Sequence, residues 1–189
     1  MRLFTAVYPS AEAIEHLFSE VAGLRLASAA AAGANVRLVR PGDAHLTLAF
    51  LGEVDPARLA AVQQALRLAV AAVRGGPPVL RLGGGGRFGW GRSTILWADV
   101  RGDVDRLVAL ADAVRAGLAA IGVPSDDKPF RPHLTIARPG DRMPHADVDA
   151  DLAALDSYLG PPWPANELVL VQSRPGPPPT HHPLTTYPL

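Results

Sequence analysis

The spacing of apolar positions along the chain switches between two and three-to-four residues, and each switch predicts an element. Leu3 to Tyr8 (LFTAVY) is rich in β-forming residues and halts at Pro9, which predicts a strand. Ser10 then offers an N-cap. Glu12 and Glu15 sit near the positive end of a helix expected to run to about Ala22 or Leu26. The alanine tract that follows reads either way until Gly33, and Asn35 to Val39 reads as a short strand or a loop. Pro41-Gly42 signals a turn before the strand AHLTLAFLG, Ala44 to Gly52. Asp55 and Pro56 open a helix, and Leu59, Val62, Leu66, Ala69 and Val73 give it one apolar face. Val79 to Leu82 predicts a strand, Gly83 to Arg92 a flexible glycine hairpin loop, and Thr94 to Val100 another strand. Asp103 caps a helix over Val104 to Ala120. A strand HLTIA follows, then a helix from Asp147 or Asp149 to about Leu159, and Glu167 to Ser173 is the last clear strand. The proline-rich tail from Arg174 onward is expected to be mostly irregular.

Strands and helices alternate, yet several strands alternate cleanly between apolar and polar positions. The pattern therefore favours an α+β protein with antiparallel or mixed sheets over a doubly wound parallel fold.

Two of these strands repeat one another. His45 to Ala49 reads HLTLA and His133 to Ala137 reads HLTIA. Side chains two apart in a strand share a face, so His45 lies beside Thr47 and His133 beside Thr135. Leu46, Leu48, Leu134 and Ile136 turn the other way, into the core. One His-x-Thr strand is commonplace and is usually a packing pair. Two copies matching over five positions indicate paired function. If the two halves are pseudo-symmetric, an imidazole from each meets the other across a groove. Two histidines on opposite sides of one phosphate form a complete acid and base pair for in-line displacement at phosphorus. The threonine hydroxyls and an arginine supply hydrogen bonds to the non-bridging oxygens. No metal and no cofactor is required by this chemistry.

Composition narrows the setting. The 189 residues carry a formal net charge of zero, which argues against a broad electrostatic grip on duplex nucleic acid while leaving room for one terminal phosphate. Lys128 is the only lysine, so nearly all positive charge is guanidinium. The absence of cysteine excludes disulfides, thiolate catalysis and cysteine-ligated zinc. No signal peptide or membrane span is expected, and the expectation is a cytoplasmic monomer. The glycine run lacks the lysine and hydroxyl residue of a nucleotide loop.

The chain resembles the two-histidine phosphoesterases, most closely the bacterial and archaeal RNA 2′,3′-cyclic phosphodiesterases formerly called 2′-5′ RNA ligases. The resemblance rests on RLFTAVYP at the start, HLTLAFLGEV (His45 to Val54) and KPFRPHLTIAR (Lys128 to Arg138). It implies one domain spanning 1–189, made of two pseudo-symmetric, intertwined lobes. It implies two antiparallel or mixed sheets facing a central cleft, with helices outside. It implies hydrolysis of a terminal RNA 2′,3′-cyclic phosphate to a 2′-phosphate, with His45 as acid and His133 as base. The residues themselves leave those two roles interchangeable. Thr47 and Thr135 match the phosphate-contacting hydroxyls and Arg138 a phosphate-binding arginine. Arg131, two before His133, is a further candidate for phosphate, and Phe88 and Trp90 are candidates for base stacking or a lid. Trp97, mid-strand, is expected in the core. Where relatives often carry a tryptophan before the first motif, this chain has Leu38. His181 and His182 give only a weak metal signal. Rival readings are a relative acting on small cyclic nucleotides or an ADP-ribose cyclic phosphate, reversible 2′-5′ ligation, and a non-catalytic RNA-end binding module. A cleft without basic flanks would favour the small substrate.

Overall fold

The computed structural model describes residues 1–125, 129–140, 142–176 and 179–189. Lys128 of the second motif's lead-in lies outside the described residues. The chain begins β1 (Arg2–Val7), α1 (Ala11–Ala22), α2 (Arg25–Ala31), β2 (Arg37–Leu38), β3 (Leu46–Glu53) and α3 (Leu59–Ala72). It continues β4 (Val79–Phe88), β5 (Ile95–Gly102), α4 (Val104–Ala120), β6 (His133–Arg138) and α5 (His145–Asp156), then β7 (Trp163–Pro164), β8 (Glu167–Arg174) and β9 (Thr180–Pro188). The Ser10 hydroxyl accepts from the Ala13 amide and starts α1, as its N-cap position predicts. The ambiguous alanine tract is α2. Its first amides, Arg25 and Leu26, donate to the two carboxylate oxygens of buried Asp151 at 2.8 and 2.9 Å.

The strands form one curled antiparallel sheet in the order β7-β4-β5-β6-β3-β1-β8-β9, with β2 added to β6. This corrects the expectation of two sheets. The reason is a single register pair, Leu46 opposite Leu134, which joins β3 to β6 and so fuses the two halves. Both leucines are fully buried, and each such burial is worth about 1.5–3 kcal/mol. The helices cover the face to which these leucines point. α3 and α4 pack on one another and against β9 and β3, while α1 and α5 pack against β4 and α2 against β2 and α5. The main core joins Leu46, Leu48, Leu134 and Ile136 to the apolar sides of the helices. The opposite face carries a small second cluster of Phe4, Ala6, Val169 and Val171 with Tyr8 beside it. Among the described residues no helix is long and apolar enough to cross a membrane.

Two further expectations are overturned. Gly83 to Phe88 is part of β4 rather than a flexible loop, and the turn is confined to the segment after Phe88. The glycines are there for close approach. A Cβ on Gly85 would come within 2.7 Å of Leu155, and one on Gly86 within 2.1 Å of the Trp97 ring. Nor is the tail irregular: β9 pairs with β8 from Thr180 to Pro188. Its prolines are tolerated because β9 is an edge strand, and Pro183 falls beside the register shift between Leu170 and Val171.

Candidate active site

Strand parity places the paired motif as the sequence predicts. Leu46, Leu48, Leu134 and Ile136 are buried, whereas His45, Thr47, His133 and Thr135 are half-buried on the helix-free face. Continuing the register of the Leu46–Leu134 rung sets Thr135 opposite His45 and Thr47 opposite His133. The two histidines are then diagonal neighbours, roughly 7–8 Å apart at the backbone.

The two imidazoles are held alike. Nδ1 of His45 donates to the carbonyl oxygen of Asp43 at 2.6 Å, and Nδ1 of His133 donates to that of Arg131 at 2.8 Å. A carbonyl can only accept, so the proton stays on Nδ1 and Nε2 is the nitrogen left to exchange protons. The rings are braced by aromatics from neighbouring strands. His45 stacks on Phe4, 5.0 Å between centroids and 25° between planes, and lies 5.6 Å from Tyr8. His133 meets Phe88 edge-on at 4.8 Å, with Trp97 at 6.0 Å.

These surroundings disfavour the charged imidazolium. Burial pushes His45 down to about 4, helped by the like charges of His181 and His133 and opposed by the Asp43 carbonyl and carboxylate. His133 is also lowered, chiefly by burial and then by Arg131 and Arg138, with the Arg131 carbonyl and Asp99 opposing. Because each proton repels the other, the pair holds one proton more readily than two.

The remaining predicted site residues divide. Arg131 lies at the site: its guanidinium is 4.4 Å from the centre of the Trp97 ring and 5.9 Å from that of Phe88. Trp97 is buried as expected, yet it forms part of the floor beneath His133. Trp90 is exposed, stacked on Arg87 at 3.7 Å and 6.0 Å from His145, and touches neither motif histidine. Arg138 is exposed at the end of β6 and within electrostatic range of His133. Among the described residues no group of three or more His, Asp or Glu side chains is placed to hold a metal ion.

Three wall residues were not identified as site residues from sequence: Phe4, Tyr8 and His181. Phe4 and Tyr8 were legible only by extending strand parity from β3 to β1, where Ala6 pairs with Thr47. His181 stands 5.3 Å from His45 and 5.2 Å from Phe4, and it arrives on the strand that its prolines concealed.

A two-motif histidine site on one curled sheet is the arrangement of a phosphoesterase class, and comparison with known proteins agrees. The pattern of the 2′-5′ RNA ligase superfamily matches residues 11–177, and the chain belongs to that family. Among individual proteins, it is 36% identical over 102 residues to the RNA 2′,3′-cyclic phosphodiesterase of Escherichia coli, a match covering 54% of each chain. It is 31% identical over 153 residues to that of Archaeoglobus fulgidus, covering 78% of each. The matched segments span about half the E. coli protein and about a third of the Geobacillus stearothermophilus one. In structure it is similar to TT0787 of Thermus thermophilus, with TM-score 0.73 and 27% identity over all of this chain and 98% of the other. E. coli LigT complexed with ATP gives TM-score 0.70 and 26% identity over 100% and 97%.

Proposed function

We propose that this protein hydrolyses a terminal RNA 2′,3′-cyclic phosphate to a 2′-phosphate by paired-histidine acid and base catalysis. The observation that carries this is the matched pair of imidazoles, each locked through Nδ1 to the carbonyl two residues back and set diagonally across one rung of sheet. The neutral imidazole accepts a proton from water through Nε2 as its oxygen bonds to phosphorus. The protonated one gives its proton from Nε2 to the departing 3′ oxygen as the P–O bond breaks. One proton is gained and one lost, so the pair ends each turnover with its roles exchanged and resets through solvent. In this reading Thr47, Thr135 and Arg131 hold the anion while charge shifts, and the reaction needs no metal.

His45 as acid and His133 as base follows the family resemblance. The deeper burial of His45 than of His133 opposes its protonation, so this order requires a bound phosphate to raise its proton affinity. The half-exposed motifs count against a purely structural role. Similarity to RNA 2′,3′-cyclic phosphodiesterases and an arginine-lined cavity at Arg37, Arg92, Arg138 and Arg142 favour an RNA end over a small cyclic nucleotide.

The deciding experiment is product analysis on a cyclic-phosphate-ended oligonucleotide. A 2′-monophosphate end supports the proposal. A 3′-monophosphate end, or no turnover, overturns it.

A further inference from the structure

Beside the histidine face lies a cavity of about 420 Å³ lined by Asn35, Arg37, Arg92, Arg138, Pro139, Gly140 and Arg142. Four guanidiniums come to it from three places. Arg37 is on β2, Arg138 and Arg142 are at and beyond the end of β6, and Arg92 is on the β4–β5 turn. Arg92 and Arg142 have other partners. Asp141 lies outside the described residues; counting its charge wholly against the lining still leaves four minus one, or three, positive charges. The most telling feature is the β2–β6 register, which sets Arg37 directly opposite Arg138. Like charges directly opposite in a sheet are destabilising, and both residues are exposed at this edge. An anion between them removes that cost. The planar guanidinium fork suits a phosphate oxygen pair.

The cavity lining includes neither motif histidine and neither motif threonine, although Arg138 is within electrostatic range of His133. A phosphate seated in the cavity is therefore a different one from the phosphate between the imidazoles.

We infer that this cavity is a second phosphate-binding subsite, which seats a backbone phosphodiester of a nucleotide 5′ to the reacting end. This rests on the proposed cyclic-phosphate reading and deepens it. The subsite makes a strand of several nucleotides, rather than a mononucleoside cyclic phosphate, the preferred substrate.

The test compares Arg37→Ala and the charge reversal Arg37→Glu with the parent protein. Arg37 is exposed on a two-residue strand, so folding should survive either change. Two substrates are used, a short cyclic-phosphate-ended oligonucleotide and a mononucleoside 2′,3′-cyclic phosphate. Losing one charge-assisted contact should lower the ratio of kcat/KM values, oligonucleotide over mononucleoside, roughly tenfold for Arg37→Ala and further for Arg37→Glu. The slope of log affinity against log salt for the oligonucleotide should shrink by about 0.7. An unchanged ratio, or equal losses on both substrates, overturns the inference. Binding of a fluorescent 3′-hydroxyl oligonucleotide, which cannot react, is measured alongside. Should the parent protein turn over neither cyclic substrate, the activity reading fails, and this arm still decides the subsite: weaker binding by both variants supports it, and equal binding sinks it.

Discussion

The imidazole of His181 stands edge-on to that of His45, 5.3 Å between centroids and 80° between planes. Its Nδ1 is buried without a hydrogen-bond partner among the described residues, and its charge opposes the protonation of His45. Replacing His181 by alanine removes that charge and admits water to the His45 ring. Both changes raise the proton affinity of His45. The acid limb of kcat/KM should therefore move to higher pH, by up to roughly one unit. His181→Phe keeps an aromatic edge in place and should give a smaller shift in the same direction. A pH profile that neither variant alters would show that His181 is only packing.

The lowered proton affinities fix a second expectation. A productive pair holds one proton, so kcat/KM should follow a bell with its acid limb near 4 and its alkaline limb below 6.5. The optimum then falls on the acid side of neutrality. Bound phosphate favours imidazolium, so the bell for kcat should lie at higher pH. An optimum of kcat/KM above pH 8 would contradict the burial argument.

Stability should follow the same groups. His45 has a folded value of about 4 against about 6.5 unfolded, so between these limits the unfolded chain binds more protons. The His45 contribution is full above pH 6.5, falls as pH drops through the window and is exhausted below about 4. The total from His45 is about 3 kcal/mol, with His133 and His181 adding in the same direction. Urea unfolding at several pH values should show the slope, and His45→Gln should flatten it.

Loss of either motif histidine should remove one proton transfer. His45→Ala and His133→Ala are each expected to lower kcat about 10²- to 10⁴-fold. The double variant should be little worse than the poorer single one, because the pair acts as a unit. A chelator should leave the rate unchanged. Full turnover by His133→Ala would remove the basis of the mechanism.

Gly86 links the fold to the site. A methyl there would sit 2.1 Å from the ring of Trp97, which lies under Arg131 and beside His133. Gly86→Ala should cost about 1–3 kcal/mol, read as a lower urea midpoint. It should also reduce kcat by displacing the His133 floor. A variant with parental stability and rate would show that Trp97 relocates freely.

Much of this molecule is legible in short-range pattern. The period-two alternation around His45 and His133 identifies both the face they share and the leucines behind them. The Ser10 cap and the Asp55-Pro56 start are equally local signals. What the pattern hides is set by distant partners. Gly83 to Gly86 has the composition of a loop, and only Leu155 and Trp97 explain why strand backbone must be glycine there. Thr180 to Pro188 has the composition of a tail, and only β8 gives it a ladder. His181 is hidden with it. The merging of two sheets into one depends on a contact between residues 88 apart, which no local period records.

That one-rung join has a further consequence. The gap between the proton-exchanging nitrogens depends on how widely the two halves splay about Leu46 and Leu134, with the short β2–β6 pairing as the second joint. Each half keeps its own imidazole aligned to its own carbonyl even as the span alters. Changes to these two leucines are thus a route to retuning which phosphorus centre fits, with every reacting group left in place.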